Sequence, residues 1–127
     1  MAELPIGSIV TGIYKTGKYI GEITDIRPQH YLVRVLAVFK HPMQGDLHNP
    51  KDANVPIFHE RRALAYREQT NIPKGMVKPY VGEVPNYAES LRSAIEHMIQ
   101  ELEENPSPWA EKSINNLYSL KKEYFPV

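Results

Sequence analysis

"SIVTGIYKTGKYIGEITDIRPQHYLVRVLAVFK", residues 8–40, decides the fold. Ile, Val, Thr and Tyr gather in runs at 8–14, 18–26 and 30–40, separated by Lys15-Thr16-Gly17 and Arg27-Pro28-Gln29. Such residues suit a pleated, half-buried surface, and the separators suit turns, so three antiparallel strands are expected. Gly17 is the candidate for the positive φ of the hairpin turn, and Gly21 marks a bulge or bend. In the third run Tyr31, Val33, Val35, Ala37 and Phe39 form one apolar face, while Leu32, Leu36 and Val38 on the other face require a second cover.

Downstream, "ERRALAYREQTNI" (60–72) is compositionally mixed, but at helical spacing it has no coherent apolar stripe, so a fourth strand is expected there. A short run from Met76 to Tyr80 supplies the fifth. Five short strands with one long loop at 41–56 predict a small, strongly bent, antiparallel SH3-like β-barrel over residues 1–82. Residues 83–127 read as a C-terminal α-helical hairpin, which makes the fold class α+β. One helix, at about 86–104, carries Leu91, Ile95, Met98, Ile99 and Leu102 on one stripe. The other, at about 108–123, opens with Ser107 as N-cap and Pro108 in the first position, and its stripe is Ala110, Ile114, Leu117 and Tyr118, extended by Leu120 and Tyr124. The "NPSP" connection is short enough for antiparallel packing. Glu101, Glu103 and Glu104 oppose the macrodipole at the end of the first helix, so they are either solvated or faced by basic groups.

The net charge is zero over 127 residues, but residues 1–82 hold eleven Lys or Arg against seven Asp or Glu, and residues 83–127 hold four against eight. The basic excess is too diffuse for a dedicated nucleic-acid stripe, yet it suits an acidic protein surface. There is no cysteine, which excludes disulfides, thiolate metal sites and cysteine nucleophiles, and a cytoplasmic setting is expected. The most apolar stretch, Tyr31 to Phe39, is short and is interrupted by Arg34, so no membrane span is expected.

The loop "HPMQGDLHNPKDANVP" (41–56) supports three readings: structural pinning by its turns and polar side chains, then partner contact, then metal binding. Asp46, Asn49 and Asp52 suit local backbone hydrogen bonds, and the intervals between His41, His48 and His59 match no ligand pattern. No metal and no cofactor are expected. Nor does the sequence hold a phosphate loop or a hydrolase signature. Tyr14, Tyr19 and Tyr31 are read as core or rim rather than a stacking platform, Trp109 as a packing anchor, and His97 as a solvated partner of nearby acids rather than a phosphoacceptor. The candidate contact residues are His41, Gln44, Asp46, His48 and Asn49 of the loop with Arg61 and Arg62 beyond it.

"FKHPMQGDLHNPK" (39–51), followed by "FHERRALAYREQTNIPK" (58–74) and the acidic helical tail, resembles the kinase-associated protein B family of Bacillus-type Firmicutes across essentially the whole chain. The resemblance implies a non-enzymatic accessory of a membrane sensor histidine kinase that feeds the sporulation phosphorelay and works by protein–protein binding. It also implies an SH3-like barrel with a helical extension. The family has been called a lipoprotein; without cysteine no thioether lipid anchor can form, so membrane contact is expected only indirectly, through the kinase. The helical hairpin is a further candidate surface for homo-oligomer formation. A nucleic-acid-binding barrel is the alternative function, and a metal-dependent hydrolase ranks below it.

Overall fold

The computed structural model describes residues 3–126. Strands β1 (Ile9–Tyr14), β2 (Gly17–Ile26), β3 (His30–Lys40), β4 (Gln69–Pro73) and β5 (Val77–Pro79) form one antiparallel sheet in the order β4-β3-β2-β1-β5. Laid flat, its edges would stand about 19 Å apart at a strand spacing of about 4.8 Å. A single 3₁₀ turn, Lys74–Met76, joins them, and at about 2 Å of rise per residue it reaches less than half that distance. The sheet therefore curls. Three register shifts between β2 and β3 supply the bending. Inside the curl β1 meets β4: a Cβ added to Gly12 would come within 2.7 Å of Ile72.

The barrel remains open, because among the described residues no ladder joins β4 to β5. Pro73 and Pro79 end those strands without an N–H to donate, which disfavours closure. The α+β class, a strongly bent antiparallel sheet followed by two C-terminal helices, is as expected; the barrel is not closed.

Two local expectations change. Tyr14 pairs directly with Gly17, which leaves a two-residue loop in which Lys15 and Thr16 take positive φ, 45° and 70°. A two-residue turn of this kind needs positive φ at both central residues, so Gly17 falls into the strand instead. Phe39 is the extra residue of the bulge between Lys18–Lys40 and Tyr19–Val38, so it swings outward, 55% exposed, while Val38 takes the buried position. Gly21 does mark a bulge: a Cβ there would lie 2.5 Å from the Arg34 carbonyl oxygen.

Val10, Ile23, Tyr31, Val33, Ile72 and Val77 fill the curl. The second cover required by β3 is helix α1 (Tyr87–Glu104), whose Leu91 and Ala94 pack with Tyr19, Val35 and Val38. Helix α2 (Pro108–Tyr124) then packs on α1 through Ile95, Ile99, Leu102, Ala110, Leu117 and Leu120. Asn86 and Ser107 cap the two helices by accepting from Glu89 N and Ala110 N, and Pro108 takes the first position of α2 as expected. The buried face of α2 runs Ala110, Ser113, Leu117, Leu120, which leaves Tyr118 out at 45% exposure. Glu101, Glu103 and Glu104 are exposed; Glu101 pairs with His97, and Glu104 accepts from Gln100. No described helix is long and apolar enough to cross a membrane.

Candidate functional site

Residues 41–68 contain neither helix nor strand. A segment of this length must satisfy its buried backbone groups without a ladder, and side chains do so here. Gln44, 3% exposed, acts as a strand partner in miniature: its Oε1 accepts from Arg61 N (2.8 Å), and its Nε2 donates to Arg61 O (2.9 Å) and Pro42 O (3.1 Å). Gly45 N donates to His59 O (2.9 Å), and Arg61 Nε returns to Gly45 O (3.0 Å). From α2, Trp109 Nε1 donates to Gln44 O (3.1 Å), so the tryptophan anchors the loop as well as packing on the helices.

His41 is fully buried. Its Nδ1 lies 3.0 Å from the Pro42 carbonyl, which can only accept, so that nitrogen carries the proton and Nε2 accepts from the Tyr124 hydroxyl at 3.0 Å. The Tyr124 oxygen in turn accepts from Ala63 N (2.9 Å). Burial pushes the His41 imidazole down to about 4, so it is neutral at physiological pH.

The expected fourth strand is corrected here. Only Gln69–Pro73 forms a strand; Arg67 and Glu68 bond to the main chain of Val35 in β3, and residues 60–66 lie off the sheet. Three tyrosine hydroxyls from three elements take up the backbone at 63–64. Tyr124 of α2 accepts from Ala63 N, Tyr19 of β2 accepts from Leu64 N (3.2 Å), and Tyr87 of α1 donates to Leu64 O. With those groups taken, the segment runs as a strap between sheet and hairpin, and it enters β4 only after Arg67 turns through a φ of 69°. Burial raises all three phenols above their ordinary range, Tyr87 to about 12, so they remain neutral donors and acceptors.

The outer rim is separate. Asp46 accepts from His48 N (2.9 Å) and Asn49 Nδ2 (3.2 Å), which holds its carboxyl below the ordinary range, and Asp52 accepts from Asn54 N (2.9 Å). Lys112 of α2 donates to Ala53 O (2.7 Å). Of the sequence-derived contact residues, His48, Asn49 and Arg62 are exposed and Asp46 is half-buried on the same rim. His41 and Gln44 are interior and hold the loop, while Arg61 is half-buried with its Nε on Gly45. Arg62 reaches across to α2, 3.2 Å from Glu123 and over the Tyr124 ring. The tyrosine clamp was missed in the sequence, since nothing local distinguishes these three from other core tyrosines. Tyr19 and Tyr31 point inward, 2% and 4% exposed, and present no stacking surface. Among the described residues no three His, Asp or Glu side chains converge as a metal site would require.

Fold and loop define a small α+β protein in which an open, curled sheet and a helical hairpin clasp one long, internally bonded loop. The chain belongs to the kinase-associated protein B family, whose model matches residues 14–125. Kinase-associated lipoprotein B of Bacillus subtilis (strain 168) is 65% identical over 125 residues, covering 98% of each chain. The crystal structure of kinase-associated protein B from Bacillus cereus has a TM-score of 0.82 at 53% identity, covering 96% of this chain and 98% of that one.

Proposed function

We propose that this chain is a non-catalytic accessory that binds a membrane sensor histidine kinase at its cytoplasmic side and acts in the sporulation phosphorelay. Family membership supports the kinase association. The observation that carries the mode of action is the loop: its buried polar groups are spent on holding its own shape, and what remains outward is a fixed rim at Asp46, His48, Asn49 and Arg62. A long ordered loop on a rigid scaffold is a common means of presenting contacts. His41, Gln44 and Arg61 act behind that rim as positioning groups, and Arg62 is its charged contact.

The test is the affinity of the purified chain for the kinase held in detergent. Arg62→Glu removes an exposed ion pair worth little to stability. It should leave the melting temperature nearly unchanged, while weakening binding about tenfold and flattening its salt dependence. The kinase should become labelled by ATP and this chain should not. Unaltered affinity in both Arg62→Glu and an Asp46/His48/Asn49 triple alanine variant would remove the rim from the mechanism.

A further inference from the structure

We propose that Lys15, Lys18, Lys40 and Lys51, with Phe39 among them, form a face that binds anionic lipid headgroups directly. Lys18 and Lys40 are opposite each other in the β2–β3 register, an arrangement that costs stability unless negative charge arrives from outside. The chain has as many acidic as basic residues. Yet among the described residues the ion pairs engage Arg27, Arg34, Arg62, Lys74 and Lys121, and none of these four lysines.

The four belong to one end of the molecule. Met43 N donates to Thr16 Oγ1 (2.9 Å), which ties the hairpin tip carrying Lys15 to the start of the loop. Lys40 and Lys51 line one cleft with Met43 and Trp109. Three carboxylates lie nearby. Glu89 shares a cleft with Phe39, Glu60 shares the cleft of Lys15 with Arg61 and Arg62, where cations outnumber it, and Glu101 faces Lys40 and Lys51, which outnumber it in turn.

Phe39 narrows the class of ligand. It stands outward with its ring 4.7 Å from the Lys18 ammonium. An aromatic ring screened by a lysine can release that lysine to a phosphate and enter the boundary between headgroup and acyl chain. The four lysines are point charges, suited to a fluid array of phosphates. Tyr19 and Tyr31 are buried and offer no stacking surface to nucleic-acid bases. Each lysine near an anionic leaflet strengthens attachment about fivefold, and the gain is screened by salt.

The experiment is co-sedimentation of the intact chain with phosphatidylcholine vesicles, with and without phosphatidylglycerol. Binding should require phosphatidylglycerol and disappear at high salt. Lys18→Glu/Lys51→Glu should reduce it by about twenty-five-fold or more. Phe39→Ser should weaken it without changing the salt slope. Lys40→Glu converts a like-charge cross-strand pair into an attractive one, so its melting temperature should hold or rise while lipid binding falls, which separates the effect from misfolding. Arg27→Glu, just beyond the far end of β2 from Lys18, should leave vesicle binding intact. No attachment to anionic vesicles at low salt, equal attachment to neutral ones, or lysine-dependent capture by poly-glutamate without vesicle binding would each overturn the proposal, the last by assigning the face to an acidic protein.

Discussion

The curled sheet and the segment that leaves it at residue 41 are both buried at their centres, but they are held together by different physics. In the sheet, ladder hydrogen bonds satisfy the backbone, and apolar side chains such as Ile23, Val33 and Ile72 supply the burial. In the 41–68 segment side chains take up much of the backbone, Gln44 against Arg61 and three tyrosines against Ala63 and Leu64, with His41 bracing the Tyr124 hydroxyl and a few main-chain bonds such as Gly45 N to His59 O beside them. A ladder distributes its load over many equivalent bonds, whereas a pinned loop concentrates it on a few polar atoms, each of which leaves a buried partner unpaired when removed. The loop is therefore shaped with little apolar mass, and it should be the first region to open.

The contrast is sharpest when the sheet is struck where β4 meets β1 across the curl. Ile72→Ala removes a fully buried side chain facing Gly12 across the curl, and it should lower unfolding free energy by about 4 kcal/mol. In urea titrations the sheet and the loop should unfold together, since the curl supports both. A loss below about 1 kcal/mol would mean that β4 and β1 are not packed on each other across the curl.

Acid should strike the loop before the sheet. His41 favours its neutral form in the fold, so between its ordinary value near 6.5 and about 4 the unfolded chain binds the extra proton. Stability is thus complete above about pH 6.5 and falls as the pH approaches 4, by roughly 3 kcal/mol from this site. Asp46 and Glu96, whose carboxyls are held low by the His48 amide and by Lys121, contribute their losses at still lower pH. His41→Gln should reduce proton uptake on unfolding near pH 5 by about one proton, as read from the pH dependence of stability. An unchanged uptake would place His41 in water.

A smaller effect distinguishes pinning from packing. Gln44→Leu keeps volume but removes two hydrogen bonds to Arg61 and one to the Pro42 carbonyl, and it should cost about 2 kcal/mol. Amide exchange should accelerate at residues 41–65 while β1 to β3 remain protected. Uniform acceleration across the chain would erase the distinction between the two regions.

Residue order along the chain determined the sheet and the helices. β-branched runs broken by Lys-Thr-Gly and Arg-Pro-Gln place three strands, and apolar spacing from Leu91 to Leu102 places α1. The Ser107-Pro108 cap opens α2 without help from the rest of the chain. These signals are local, because strand alternation, helical periodicity and capping each depend on residues a few positions apart. Tertiary structure decided the rest. Phe39 left the apolar face because a bulge, set by pairing with β2, inserted it as an extra residue. The curl stayed open where prolines end both edges, and the run at 60–68 became a strap because Tyr19, Tyr87 and Tyr124 reached its backbone first. His41 meets Tyr124 across 83 positions, and Leu64 meets Tyr19 across 45. A hydrogen bond over such distances leaves no period in the sequence, so whether a polar residue contacts a partner or holds its own loop is settled only when the elements pack.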